Sequence, residues 1–179
     1  MILISDKVKL RPWSLNDAQD LTSIANNKKI HDGLRDGFPH PYSLKDAEKW
    51  LKFAMELNKK QTQYFAIEYD GELAGSIGVV LKEDVYRKSA EIGYFIGEPF
   101  WNKGIVTGAI RLISDYIFDV FDRIRIYAEP YASNMASRRA LEKAGYHCEA
   151  VLKNNVIKNG KIQDSCIYVI FAKDFDIER

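Results

Sequence analysis

The stretch Trp101-Asn102-Lys103-Gly104-Ile105-Val106-Thr107-Gly108-Ala109 sits between a strand-like run and a strongly periodic helix. A glycine-bearing turn that opens straight into a helix leaves several backbone N–H groups unpaired and aimed at one point, where the helix dipole also favours negative charge. The chemistry such a loop offers is the seating of a phosphate. Upstream, Ala90-Glu91-Ile92-Gly93-Tyr94-Phe95-Ile96 alternates with the period of a half-buried strand. Downstream, Ala109, Leu112, Ile113, Tyr116, Ile117, Val120 and Phe121 recur at three- and four-residue steps along one helical face. The loop is not a Walker loop, because the second glycine, the lysine and the Ser/Thr of that pattern do not follow Gly104, and no G-x-G-x-x-G fingerprint is present. Taken alone, a glycine before a helix is also ordinary turn chemistry.

Positioning this loop requires a folded scaffold, and 179 residues suffice for one domain, read here as spanning 1–179. With 46% hydrophobic and 28% charged residues, the composition is that of a globular protein. A net charge of +1, from 26 basic and 25 acidic residues, provides no global field for nucleic acid. No run reaches the ~20 apolar residues of a membrane helix, and the first residues lack the regions of a signal peptide, so a cytoplasmic protein without membrane partners is expected. Cys148 and Cys166 form no C-x-x-C pattern and no metal site is implied; both read as small buried hydrophobes in strands.

Along the chain, Val8 to Trp13 alternates as a first strand, and Ser14 or Asn16 caps a helix through about Asn26. The segment His31 to Tyr42 reads as irregular, and Ser43-Leu44-Lys45-Asp46 opens a helix as a capping box. Gln63–Tyr69 and Leu73–Leu81 flank Asp70-Gly71, and Tyr146–Ile157 and Lys161–Ala172 flank Asn159-Gly160, both hairpin turns that need positive φ at each central residue. Between them lie a strand Lys88–Gly97, the Gly104 helix to about Phe121, a strand Ile124–Ala128, and a helix capped by Ser133 or Asn134 that ends at Lys143 before Gly145. The order β-α-α-β-β-β-α-β-α-β-β predicts an α/β (α+β) fold, a mixed sheet with helices on both faces.

Three stretches in this order, Ala90 to Tyr94, Trp101 to Ala109, and Asn134-Met135-Ala136-Ser137-Arg138-Arg139-Ala140-Leu141-Glu142-Lys143-Ala144-Gly145-Tyr146, resemble the GNAT superfamily of acetyl-CoA-dependent N-acetyltransferases. The likeness covers essentially the whole chain and is nearest to the RimJ/RimL branch of ribosomal-protein N-acetyltransferases. In the superfamily's Q/R-x-x-G-x-G/A loop, Trp101 fills the first slot, Gly104 matches, and Val106 replaces the last small residue. The resemblance implies a mostly antiparallel sheet of six or seven strands with a splayed central pair. It also implies acetyl-CoA as cofactor and a primary-amine acceptor, either a protein N-terminus or a small molecule, in a monomer or homodimer. It places the CoA pyrophosphate on the amides of Asn102, Lys103, Gly104, Ile105, Val106 and Thr107. The pantetheine arm is placed along backbone groups of Tyr94, Phe95 and Ile96, with Asn134 touching it. An unpaired strand edge suits two pantetheine amides. Arg138, Arg139 and Lys143 either reach the ribose phosphate or form a solvated helix face.

Acetyl transfer to an amine needs a proton acceptor for the nitrogen, stabilisation of oxyanion charge and a proton for the thiolate. Glu91 is the first candidate acceptor, since partial burial on its strand is expected to raise its pKa, and alternation turns it away from Ile92 and Tyr94. Glu129, five residues before Asn134, is the second, where some relatives place their base. The tyrosine that many members carry seven residues after the asparagine is here Leu141, and the branch suggests Ser137 as proton donor or sulfur-binding hydroxyl. The Ile96 amide region is expected to stabilise the oxyanion. His31 and His40 read as loop histidines and His147 as structural; Tyr168 is either core or a wall of the acceptor pocket. Leu141 also fits a rival reading, a non-catalytic acyl-CoA-binding module.

Overall fold

In the computed structural model, which describes residues 2–57 and 61–175, the chain begins with β1 (Leu3–Ser5), β2 (Val8–Pro12), α1 (Ala18–Ala25), α2 (Lys28–Asp32) and α3 (Leu44–Leu57). It continues through β3 (Thr62–Tyr69), β4 (Glu72–Leu81), β5 (Ser89–Ile96), α4 (Ile105–Val120), β6 (Arg125–Ala128), α5 (Met135–Lys143), β7 (His147–Lys158), β8 (Lys161–Phe171) and α6 (Ala172–Phe175). The expected domain 1–179 includes residues 1, 58–60 and 176–179, which lie outside the described residues. Among the described residues no helix is long and apolar enough to cross a membrane.

Both hairpin turns form as their sequences require: Asp70 and Gly71 have φ of 52° and 87°, Asn159 and Gly160 of 51° and 70°. One sheet results, in the order β1-β2-β3-β4-β5-β6-β8-β7, antiparallel throughout except for the parallel pair β5–β6. It has eight strands rather than six or seven. The extra one, β1, folds back on β2 through Asp6 (φ 51°), with Ser5 opposite Val8. Three residues are too few for period-two alternation to reveal.

Helices cover both faces. On one, α4 and α5 close a core of Leu10, Ile77, Ile92, Ile113 and Leu141. On the other, α1 and α3 bury Trp13, Leu21, Leu51 and Ala66. Ile110, Ile113 and Ile117 of α4 are fully buried, each stabilising the fold by about 1.5–3 kcal/mol. A Cβ on Gly108 would sit 3.3 Å from Val8 Cγ2, so a small residue there lets α4 close on β2. The predicted capping box forms, the Ser43 N–H donating to Asp46 at 2.9 Å. An earlier one, Ser14 with Asp17, starts a 3₁₀ turn before α1. Cys166 is buried, but Cys148 is exposed because β7 is the sheet's outer strand. Both are free thiols.

Candidate active site

Where β5 runs out, the backbone turns twice into the left-handed region, at Asn102 (φ 61°) and at Gly104 (φ 76°), and α4 begins. Gly104 occupies the N-cap, so no side chain caps the helix, and its first turn carries no acid. The first N–H to find a helical partner is that of Gly108, donating to the Gly104 carbonyl at 3.1 Å. The amides of Ile105, Val106 and Thr107 therefore converge on the space before the helix with the dipole behind them. A Cβ on Gly104 would meet no atom within 4 Å, so that space is open. Val106 is half-buried, its side chain packed against the larger core. The Trp101 indole N–H donates to the Ile96 carbonyl at 2.8 Å, tying the loop to the end of β5.

Beside this seat the sheet opens. The parallel pairing of β5 with β6 ends at Glu91 opposite Tyr127, while β5 stays paired with β4 to Ile96 opposite Gly75. Bonds from Gly97 N–H to the Ala74 carbonyl (2.8 Å) and from Lys82 N–H to the Ser89 carbonyl (3.0 Å) fix the phase of the β4–β5 ladder. In that phase the odd-numbered residues of β5 bond to β4, and Tyr94 and Ile96 turn their N–H and C=O toward the side β6 has left. The expectation that Phe95 offers backbone groups is corrected by this register. Phe95 pairs with Ser76 in β4, and its side chain packs edge-on against Phe38 on the opposite face. Of Ile96 only the N–H is free, since Trp101 holds its carbonyl.

Glu91 projects from β5 to the face opposite Ile92 and Tyr94. One carboxylate oxygen accepts from Lys82 Nζ (2.6 Å) and the Tyr127 hydroxyl (3.2 Å), the other from Arg35 Nη2 (2.9 Å). Burial pushes the carboxyl up, as the sequence suggested. The hydrogen bond and charge of Lys82, with the charge of Arg35, outweigh it and hold Glu91 below the ordinary glutamate value. The expected upward shift is thus corrected. Glu129 lines an open cleft of about 280 Å³ with Arg35, Asp36, Tyr131, Val156 and Ile157. Its carboxylate accepts from Ser165 Oγ (2.7 Å) and Asn155 Nδ2 (2.9 Å). Arg35, bonded to Glu91, thus also lines the cleft of Glu129. Between Glu91 and Phe95 on the same face, Gly93 is exposed, and a Cβ there would meet nothing within 4 Å.

On the other face, Ser137 Oγ lies 2.9 Å from the Tyr94 hydroxyl, bridging the head of α5 to β5. Asn134 is the N-cap of α5, its Oδ1 accepting the Ser137 N–H at 3.1 Å, which leaves Nδ2 as its remaining polar group. Leu141 is fully buried. Tyr168 is also fully buried, donating to Glu142 at 2.6 Å and accepting from Arg138 Nε at 3.2 Å, and belongs to the core rather than to the cleft. Arg138 is committed to Tyr168 and to the Ala132 carbonyl (3.0 Å). His31 is no loop residue but sits in α2, with Nδ1 at 2.8 Å from the Phe38 carbonyl. His40 packs against its ring. Sequence reasoning missed Arg35, Lys82, Tyr127 and the Tyr94 hydroxyl. Lys82 had a signal, lying two residues beyond Val80, which is opposite Glu91. Tyr127 did too, by alternation in β6. Arg35, in an irregular segment, had none.

An uncapped helix start beside a splayed parallel pair fits a diphosphate joined to an amide-bearing arm, and a carboxylate near the opening fits amine chemistry. These features define a transferase of activated acyl groups. The chain belongs to the GNAT acetyltransferase family: the profile of the acetyltransferase (GNAT) domain matches residues 7–147. It is accordingly an N-acetyltransferase whose donor is acetyl-CoA. The probable N-acetyltransferase YjcK of Bacillus subtilis is 34% identical over 178 residues, covering 93% of this chain and 95% of that one. The microcin C7 self-immunity acetyltransferase MccE, solved with acetyl-CoA and AMP, superposes with a TM-score of 0.82 at 26% identity over 93% of each chain. RimL, a ribosomal L7/L12 α-N-protein acetyltransferase solved with coenzyme A, shares the fold with a TM-score of 0.85 at 19% identity, covering 96% of this chain and 98% of that one.

Proposed function

We propose that the acceptor is a primary amine, a protein N-terminus or a small molecule, which attacks directly in a ternary complex, with Glu91 receiving the nitrogen's proton. The reading treats residues 1–179 as one domain acting in the cytoplasm. Acetyl-CoA, when bound, supplies the thioester carbonyl as electrophile. The amides of Asn102 to Thr107 hold its diphosphate, and the free backbone groups of Tyr94 and Ile96, with Asn134 Nδ2, align its arm. The observation that carries this reading is the placing of Glu91 on the one strand whose free edge begins beside the cradle.

A carboxylate held below the ordinary glutamate value is too weak a base to deprotonate a free ammonium, whose pKa is roughly 8 to 10. Glu91 instead orients the amine and receives its proton as the new N–C bond makes the nitrogen acidic. The Ile96 N–H donates to the carbonyl oxygen as charge develops there. Ser137, oriented by the Tyr94 hydroxyl, donates toward sulfur; burial pushes the Tyr94 phenol up, which keeps it protonated. Glu129 lines a cleft with Arg35 but accepts only from neutral groups among the described residues. Incubation with acetyl-CoA and either spermidine or a serine-initiated tetrapeptide is expected to release free thiol well above the amine-free blank. Tight CoA binding with no release across a broad amine panel would instead identify a non-catalytic binding module.

A further inference from the structure

The two ends of the Arg35 residue, backbone and guanidinium, are held very differently. Around it the main chain is pinned. The Tyr131 hydroxyl donates to the Leu34 carbonyl at 3.1 Å, and the Phe38 N–H donates to the carbonyl of Arg35 itself at 3.0 Å. The adjacent Asp36 accepts from Lys158 Nζ at 2.7 Å, a lysine whose side chain is only 2% exposed at the tip of the β7–β8 hairpin. Asn159 of the same turn donates to Asp32 at 2.8 Å. The Arg35 side chain, by contrast, is 78% exposed and reaches the carboxylate of Glu91, itself 19% exposed, through a single bond of 2.9 Å. Exposed pairs of this kind are weak.

The chemistry of the cleft gives this labile cation a place to leave from and a place to go. One oxygen of Glu91 is occupied by Lys82 and Tyr127, so the oxygen under Arg35 is the one an incoming ammonium would reach. Glu129, which lines a cleft with Arg35, pairs with no lysine or arginine among the described residues. We propose that the Arg35 guanidinium is a displaceable cation that keeps the acceptor's place on Glu91, and that the acceptor's ammonium expels it toward Glu129. Arg35 is thus a specificity residue that sets a threshold for the acceptor, and its role rests on the reading of Glu91 as the acceptor-facing carboxylate. The exchange replaces one cation by another on Glu91 and supplies a partner to Glu129, so no charge is stranded in the cleft. An acceptor that carries no cationic group has no means of displacing the guanidinium; once seated, the ammonium loses one proton to water, and the neutral amine then attacks and passes its second proton to Glu91.

The probe is methylammonium chloride, titrated into protein carrying ¹³C-glutamate while the Glu91 carboxyl resonance is followed, that resonance being assigned by its loss in Glu91→Gln. In Arg35→Met the concentration that half-shifts the resonance is expected to fall about fivefold, equivalent to ~1 kcal/mol at 1.4 kcal/mol per tenfold. Arg35→Lys, which keeps a cation, should stay near the wild-type value. Glu129→Gln, which removes the second seat, should raise the half-point. A half-point in Arg35→Met equal to or above that of the wild type overturns the proposal. Because the titration needs no acetyl transfer, a protein that behaves as expected here yet acetylates no amine would refute the proposed function while leaving standing the displacement of Arg35 from Glu91 by an ammonium.

Discussion

Gly104→Val is expected to abolish CoA binding, with affinity falling by about a hundredfold or more, equivalent to ~2.7 kcal/mol, in a calorimetric titration. Gly104 holds φ at 76°, a left-handed backbone that costs a residue with a side chain roughly 1–2 kcal/mol and is least tolerable to a β-branched one. If the turn keeps its shape, the new methyl groups stand in the open space before α4, where nothing of the protein lies within 4 Å and where a diphosphate must sit. If the turn relaxes, the amides of Ile105 to Thr107 no longer converge. Either outcome removes the seat. Gly37, which also has free space around a notional Cβ but no left-handed backbone, is the control: valine there should leave CoA affinity unchanged.

Glu91→Gln is expected to lower kcat at least about tenfold while CoA affinity is kept, within the range for a positioned proton acceptor. The substitution preserves shape and removes the charge that Lys82 and Arg35 now share. The pH dependence follows from the direction of the Glu91 shift. Its pKa is lowered, so the carboxylate is ionised throughout the neutral range and loses activity only as pH falls through values below the ordinary glutamate one. Between about pH 7 and 10 the rate should therefore climb with deprotonation of the acceptor, in wild type and variant alike, with the variant displaced downward. Steady-state rates across that range decide it. An unchanged kcat removes Glu91 from the chemistry.

What the sequence disclosed of this site depended on whether the determinant was local. The cradle was legible because glycine, turn and helix are contiguous, and the hairpins because Asp70-Gly71 and Asn159-Gly160 carry their conformation in two residues. The direction of the Glu91 side chain followed from alternation. Its pKa did not, because that depends on Lys82 from β4 and Arg35 from the segment after α2, nine and 56 residues distant, and their combined pull exceeds the effect of burial. Phe95 shows the same limit from the other side. Which residues of a strand face an open edge is fixed by the phase of the ladder with β4, and periodicity in side chains cannot report which amides bond to which neighbour. β1 escaped notice because three residues carry no period, and Cys148 because a strand at the rim of a sheet alternates without burying either face.

Backbone amide spectra of ¹⁵N-labelled protein titrated with CoA test the seat and the splay together. The N–H resonances of Ile105, Val106 and Thr107 at the start of α4 should move most, accompanied by those of Tyr94 and Ile96, while the Phe95 amide, bonded to β4, moves little. Large shifts confined to other parts of the chain, with these five amides still, would mean that CoA is held somewhere else.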